Sequence, residues 1–488
     1  MNSTKDRNGK QFNVIAMVVT LLAGTFCTVL NGTILSTAFP TLMKTFNISA
    51  ATVQWLTTGF MMVNGVMIPI SAWLSTRINS KALYIGAMST FLVGTIICYV
   101  APTFSILLSG RLIQGVAVGI TMPLMQTIML TVFPPEKRGI AMGLGGLVIG
   151  LAPAIGPTLS GWVIDNWTWR DLFSIIIPIV TLVVITSFFT MHSVLKNYRN
   201  TIDVWSIIES TIGFGSLLFG FSSVGDDGWT SPKVYGAIII GIIFITIFTY
   251  RQLHLEQPFL QLRVFQSPEF SLSVVLSAVT NMAMMGIEMV LPLYLQIVKG
   301  LSAFHSGLAL LLGALITGIM SPITGAAFDR YGAKRLATTG MFFLTAGTVP
   351  FIFITQHTSI VYIVALYTFR MFGSSMVNMP VTTAGMNALP YNLISHGTAV
   401  NNTCRQVFTS MGTAILISVL TNVTNNLKPA TSVLRQTPLA YRQQFITATI
   451  SGYRAAFAVA VGFCLVTLVL SFFLKDKGTS TDLATEEA

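Results

Sequence analysis

Arg111, Arg370, Arg405, Glu209 and Glu288 are charged residues set inside long apolar runs. An arginine at the centre of a membrane helix costs about 2.5 to 3.5 kcal/mol even on the lenient insertion scale, so each must face a protein interior or a wet cavity. Two uses fit such a residue: polar lining of a transport cavity, or a structural ion pair or carbonyl clamp. A carboxylate in the same setting can bind and release a proton. Glu288 lies roughly 7 Å from the midpoint of its run, 270–297, and is the best placed to do so. Its two readings are proton coupling or cation binding, and a fixed partner for an arginine such as Arg405. Glu209 lies near the end of its run, within reach of the interface, and reads as structural. Asn281 precedes Glu288 by two turns on the same helix face, and Met282, Met284, Met285 and Met289 surround the pair. Methionines there serve either as an adaptable lining for varied apolar ligands or as ordinary packing.

The elements that position these residues follow from composition. Of 488 residues 53% are hydrophobic and 9% charged, and the mean hydropathy is +0.74. A soluble surface typically needs about 25% charged residues, so the bilayer is the solvent. Apolar runs place spans at 12–39, 53–76, 82–100, 104–133, 139–164, 172–195, 206–224, 234–250, 270–297, 302–328, 336–355, 359–387, 399–424 and 454–475. With the N-terminus inside, sixteen of the 27 lysines and arginines fall in inward segments, eight in outward segments and three within spans. This positive-inside asymmetry puts both termini in the cytoplasm and explains the net charge of +11 without nucleic acid. The first run follows Lys5, Arg7 and Lys10 but has no cleavage-like site, and reads as a retained span. Cys27, Cys98, Cys404 and Cys464 lie in apolar runs without metal-ligand spacing and read as buried hydrophobes. The segment 425–453 reads as an outer loop with scattered Leu434, Leu439, Phe445 and Ile450. The polar residues 476–488 read as a disordered tail.

A repeat is visible in the charges. A basic turn at Arg77 precedes Arg111 by 34 residues, and a basic turn at Arg330 precedes Arg370 by 40, in corresponding spans of two six-span sets. The expected fold is therefore an all-α integral membrane protein of fourteen helices. It has an N-terminal six-helix half (12–195), two inserted helices (206–250) and a C-terminal six-helix half (270–475). Two repeats around a midplane cavity are transporter architecture.

Local motifs sharpen this. Gly325-Ala-Ala-Phe-Asp329-Arg330-Tyr-Gly332-Ala-Lys334-Arg335 is a charged tight turn between spans and resembles motif A of the major facilitator superfamily. Asp329 ends a helix where it can meet a neighbouring helix N-terminus or an arginine, and Gly332 permits the turn. The first copy, at Thr76, Arg77, Asn79 and Lys81, lacks both the acid and the second glycine. Arg111-Leu-Ile-Gln114-Gly115, with Gly119, matches motif B; Gly150, Pro153, Gly156, Pro157, Ser160 and Gly161 resemble the antiporter motif C. With Gln54-Trp55, Trp169-Arg170, Leu30-Asn31-Gly-Thr33 and Pro123-Leu-Met-Gln126, the chain over about 12–475 resembles the fourteen-span drug:proton antiporters of EmrB/QacA type. It is most similar within them to lincomycin-resistance-like exporters.

The resemblance implies proton-coupled efflux of amphipathic drugs by a monomer in the bacterial plasma membrane, with protons and lipid as its other partners and no metal or cofactor. Taken with the polar residues within spans, the leading reading has a cavity lined by Asn31, Arg111, Gln114, Asn281 and Arg405, with Glu288 for proton coupling or cation binding. Gly325, Asp329, Arg330, Gly332 and Arg335 form the conformational latch, and Gly156, Pro157 and Gly161 allow close helix approach. One departure is Asn31, where many members carry an aspartate: an amide carries no titratable proton. It leaves open an exporter or facilitator of a native metabolite or lipid, or a receptor or scaffold that no longer transports. No P-loop or nucleophile motif points to an enzyme.

Overall fold

The structure, a computed structural model, describes residues 4–5, 11–196, 203–429 and 437–475. After a two-residue antiparallel pair, Thr4–Lys5 with Gln11–Phe12, the chain is helical: α1 (Val14–Thr33), α2 (Phe39–Phe46), α3 (Ala50–Arg77), α4 (Ser80–Val100), α5 (Phe104–Val132), α6 (Arg138–Asn166) and α7 (Asp171–Thr190). Next come α8 (Val204–Asp227) and α9 (Pro232–His254), then α10 (Pro268–Ile297), α11 (Ala303–Tyr331), α12 (Ala333–Thr348), α13 (Ile360–Ser375), α14 (Asn378–Asn387), α15 (Ile394–Leu427) and α16 (Pro438–Ser471). Among the described residues there are 14 segments long and apolar enough to cross a membrane, α13 and α14 counting as one. An even number returns the chain to the side it left. We call that side the terminal face.

Caps and prolines set the boundaries. Asn13 accepts from the Ile15 and Ala16 amides at 3.0 and 3.2 Å, and Ser49, Thr103, Ser267 and Ser302 cap α3, α5, α10 and α11 in the same way. Three expected spans prove to be broken, each just ahead of a proline. The run 12–39 ends as α1 at Thr33 and restarts as α2 with Pro40; 336–355 turns to 3-10 helix at Val349–Phe353, around Pro350; and 359–387 breaks at Met376–Val377, where the ring of Pro380 would meet the carbonyl four residues back. The largest correction concerns the last two spans. Residues 438–453, expected as loop, are the first turns of α16, and α15 starts five residues earlier than expected. Polar helical turns that project beyond the hydrocarbon are invisible to hydropathy. Leu434, Arg435 and the tail 476–488 lie outside the described residues, as do Arg7, Lys10, Arg199 and Lys477 of the basic side.

Among the described residues the buried apolar side chains form three clusters: one runs through α1 and α3–α7, around Leu21, Phe91, Leu124 and Phe173, and reaches Phe270, Met379 and Val400; a second fills the C-terminal half around Leu291, Leu344, Phe351 and Phe457; a small third joins α8 and α9 to Ala414 of α15. The halves meet along α6 and α11, whose facing residues are small: a side chain added at Gly143 would come within 2.5 Å of the Ser321 carbonyl, and one at Gly146 within 3.1 Å of the Ser321 side chain. On the opposite side α8 bridges the halves. Phe219 stacks on Trp55 of α3 at 5.9 Å, and the Trp229 indole, just beyond α8, donates to Ser418 of α15 at 2.7 Å.

The inserted pair is tied at its base. Asp203 caps α8 and accepts from Arg251 Nε and Nη2 of α9 at 2.9 and 3.0 Å, while Ser206 Oγ donates to it at 2.6 Å. Partial burial opposes its ionisation, but the Arg251 and Ser206 hydrogen bonds win and hold the carboxyl below its usual range. A depressed carboxylate contributes stability that is full above its unfolded value and is lost as pH falls through the folded value. Arg251 keeps 36% of its side chain exposed, so screening limits the pair. Asp203→Ala is expected to cost about 1 kcal/mol at pH 7. Thermal unfolding of purified protein checks this, and the part owed to Arg251 must shrink once the pH falls below about 4.

Candidate functional site

In the C-terminal half, Arg370 of α13 is fully buried and anchored from two sides. Its Nη2 donates to the Ala283 carbonyl of α10 at 3.0 Å and its Nε to Thr348 Oγ1 of α12 at 3.2 Å. Glu288 stands farther along α10, half-buried, and feels the charge of Arg370. No ion pair of 4 Å or less closes between them or with any other cation among the described residues. Asn281 is buried, donating to the Ser277 carbonyl at 2.8 Å and to Asn378 Oδ1 of α14 at 3.4 Å. Asn378 in turn donates to Ser374 Oγ at 3.1 Å and approaches Met284 Sδ. Of the four methionines, Met282 and Met284 are buried in this cluster, whereas Met289 is 54% exposed on the outside of α10 and lines nothing.

Arg405 is not the partner of Glu288. A side chain at Gly412 of α15 would touch Met282, and one at Gly286 would touch Leu416, so α15 and α10 run in parallel with these positions level. In that register Glu288 lies beside about residue 418, and Arg405 is thirteen residues lower, about 20 Å away at the helical rise. Arg370 supplies the nearby positive charge instead.

The N-terminal half repeats the clamp without the acid. Arg111 Nη1 donates to the Asn31 carbonyl of α1 at 3.1 Å and to Gln114 Oε1 at 2.9 Å, its Nε donates to the Leu56 carbonyl at 3.2 Å, and its guanidinium lies 4.2 Å from the Phe60 ring centre. Gln114 Nε2 donates to Thr95 Oγ1 of α4 at 2.9 Å. Arg111, Gln114 and Asn31 are fully buried, so they are packed between helices rather than standing free in a cavity, which corrects the expected lining role. Both amide atoms of Asn31 lack a hydrogen-bond partner among the described residues. The fourth-span arginine of each half thus grips a carbonyl of its first span and a group tied to its third.

The latch is built from fewer residues than expected. Asp329 at the end of α11 accepts from the Gly139 and Ile140 amides at 2.8 and 3.1 Å, capping the N-terminus of α6 in the other half. Gly325 lies directly against the Gly139 backbone, where a side chain cannot fit, and Gly332 takes φ 82° to end α11. Arg330 and Arg335 are exposed, Arg330 over the Tyr331 ring, and neither takes part in the cap. Two further ties across the halves were missed: Arg138 Nη1 donates to Asn387 Oδ1 at 2.8 Å and Asn402 Nδ2 to Gln126 Oε1 at 2.6 Å. A polar residue in an apolar run, as at Gln126, was the available signal. The degraded first motif turns inward instead: Thr76 bonds its own helix and Asn79 caps α4. In the antiporter motif, Gly156 presses on Thr33 of α1 and Pro157 sits within α6, but Gly161 has space, its closest neighbour being Phe304 at 3.7 Å.

The Major Facilitator Superfamily model matches residues 21–413. The chain is 48% identical to the MFS-type transporter YcnB of Bacillus subtilis over 466 residues, covering 96% of each, and 38% identical to the lincomycin resistance protein LmrB of the same organism, covering 97% of this chain and 98% of the relative. The crystal structure of the human organic anion transporter MFSD10 superposes with a TM-score of 0.64 at 13% identity, covering 94% of this chain and 99% of that one. This is a membrane transporter and not an enzyme: the chain belongs to the major facilitator superfamily, with lincomycin resistance proteins among its relatives.

Proposed function

We propose that the protein exports amphipathic drugs from the cytoplasm in exchange for protons, by alternating access between its two six-helix halves in the bacterial cell membrane. The observation that carries this reading is Glu288, a half-buried carboxylate within a span, near an anchored arginine but without a closed ion pair. Ionised, it is drawn to Arg370; protonated, it is released, and the difference is a force on α10. The resistance to lincomycin named for LmrB supports a drug as cargo. The terminal face is taken as cytoplasmic, in keeping with its basic residues. The hydrogen bonds described between the halves, at Asp329, Arg138 and Gln126, then all lie towards the cytoplasm, which fits a conformation sealed on that side and facing outward. A second reading, export of a native metabolite or lipid, draws on the uncharged Asn31 beside Arg111.

Coupling is tested with ethidium and lincomycin in inside-out vesicles under an imposed pH gradient. Wild type is expected to accumulate either compound only with the gradient, and Glu288→Gln to lose the gradient-driven part at normal expression. Normal transport by Glu288→Gln would remove Glu288 as the coupling acid, and transport of neither compound by wild type would favour the second reading. The seal gives its own prediction. Asp329→Ala removes the cap on α6 and is expected to shift the balance away from the cytoplasm-closed state by about fivefold to tenfold. Maleimide labelling of Thr131→Cys, on the terminal face, should speed up correspondingly.

A further inference from the structure

Arg405 is a half-buried guanidinium that, among the described residues, holds nothing of opposite charge. Around α15, Gly412 and Leu416 face α10, Asn402 meets Gln126 of α5, and Val407, Met411 and Ala414 pack with the inserted helices. Arg405 precedes Gly412 by two turns and follows Asn402 by three residues, so it points between α10 and α5, into the interior where the halves meet. It is half-buried, and among the described residues it makes no hydrogen bond and has no carboxylate within 4 Å. Glu288 is about 20 Å farther along the bundle. The polar atoms beside Arg405 in sequence and register are also unsatisfied. Asn401 Nδ2, one turn away, and Gln126 Nε2 across the interface are buried donors without acceptors, and Asn402 Oδ1 is a buried acceptor without a donor. A half-buried cation without a counter-charge, flanked by buried N–H groups without acceptors, is suited to a ligand that supplies the negative charge.

We propose that this cluster is a substrate subsite for an acidic amphiphile: Arg405 binds a carboxylate, Asn401 and Gln126 donate to its oxygens, and Asn402 accepts from a neighbouring N–H or O–H of the same molecule. This narrows the exporter reading, on which it rests, from amphipathic compounds in general to those carrying an anionic group. The apolar remainder lies in the space between the halves.

The test is equilibrium binding to the full-length protein in nanodiscs, with no gradient, using two matched sets: 4-phenylbutyrate, 4-phenylbutyramide and 4-phenylbutylamine, and decanoate, decanamide and decylamine. In at least one set the acid is expected to bind about tenfold more tightly than its amide, and the amine more weakly still. Arg405→Gln should bring acid and amide within about twofold of each other, and Arg405→Lys, which keeps the charge, should retain part of the preference. If neither acid outbinds its amide in wild type, or if the preference survives Arg405→Gln, the subsite is wrong. Proton-driven uptake of ethidium and lincomycin, measured on the same preparations, separates the two ideas. Acid preference without such uptake sinks the exporter and keeps the subsite, and uptake without acid preference does the reverse.

Discussion

A polar group removed from water must find another partner, and in hydrocarbon this requirement governs more of the architecture than any packing preference. Arg111 and Arg370 meet it in parallel ways. Each guanidinium ends on a backbone carbonyl of the first span of its half, at Asn31 and Ala283, and on a group tied to the third, through Gln114 to Thr95 or directly to Thr348. Three helices of each half are thereby fixed to one another by directional bonds, which apolar packing against equally apolar lipid supplies only weakly. Each half is thus held together from within.

Between the halves the bonds are of another kind. Asp329 caps α6 through two backbone amides at the helix end, and Arg138–Asn387 and Gln126–Asn402 are single contacts. Asp329 and Asn387 keep partial exposure at the terminal face, so water can replace their bonds and breaking those costs little, whereas Gln126–Asn402 is buried. The Gly143, Gly146 and Gly325 contacts let α6 and α11 lie nearly backbone to backbone, a geometry that allows one to rock on the other without side chains having to repack. On the opposite side α8 spans the seam through Trp55–Phe219 and Trp229–Ser418, a softer joint made of aromatic surface. The inserted helices thus act on the same interface that the halves use.

Composition and hydropathy carried the number of spans, because a run of apolar residues long enough to cross has few other uses. Span ends were less legible: the breaks ahead of Pro40, Pro350 and Pro380 depend on local backbone geometry, and the early turns of α16 are helical in water, where hydropathy has nothing to report. The sequence repeat of Arg111 and Arg370 was readable as a spacing. Its physical content was not, since a carbonyl acceptor has no signature in side-chain identity. For the same reason Asn31 looked like cavity lining, while its useful atom is its backbone oxygen. Partner choice was the other gap: Arg405 lies in the same half as Glu288, and only the register of α10 against α15 shows how far apart they stand.

That separation constrains the mechanism proposed here. Two unit charges about 20 Å apart at an effective dielectric constant of about 20 interact by about 0.8 kcal/mol, less than the 1.4 kcal/mol that a tenfold change in affinity requires. Protonation of Glu288 therefore cannot expel an anion from Arg405 by direct electrostatics to any useful extent. What connects them is α10, which carries Glu288, supplies the Ala283 carbonyl to Arg370 and packs on α15 at Met282 and Gly286. A proton that weakens the pull of Arg370 on Glu288 lets α10 shift, α15 follows through that contact, and the Asn402–Gln126 bond beside Arg405 lies at the end of the same helix. In this proposal exchange of proton for substrate depends on movement of packed helices, and a chain with a close-packed rocking seam at α6 and α11 and a softer aromatic one at α8 is suited to it.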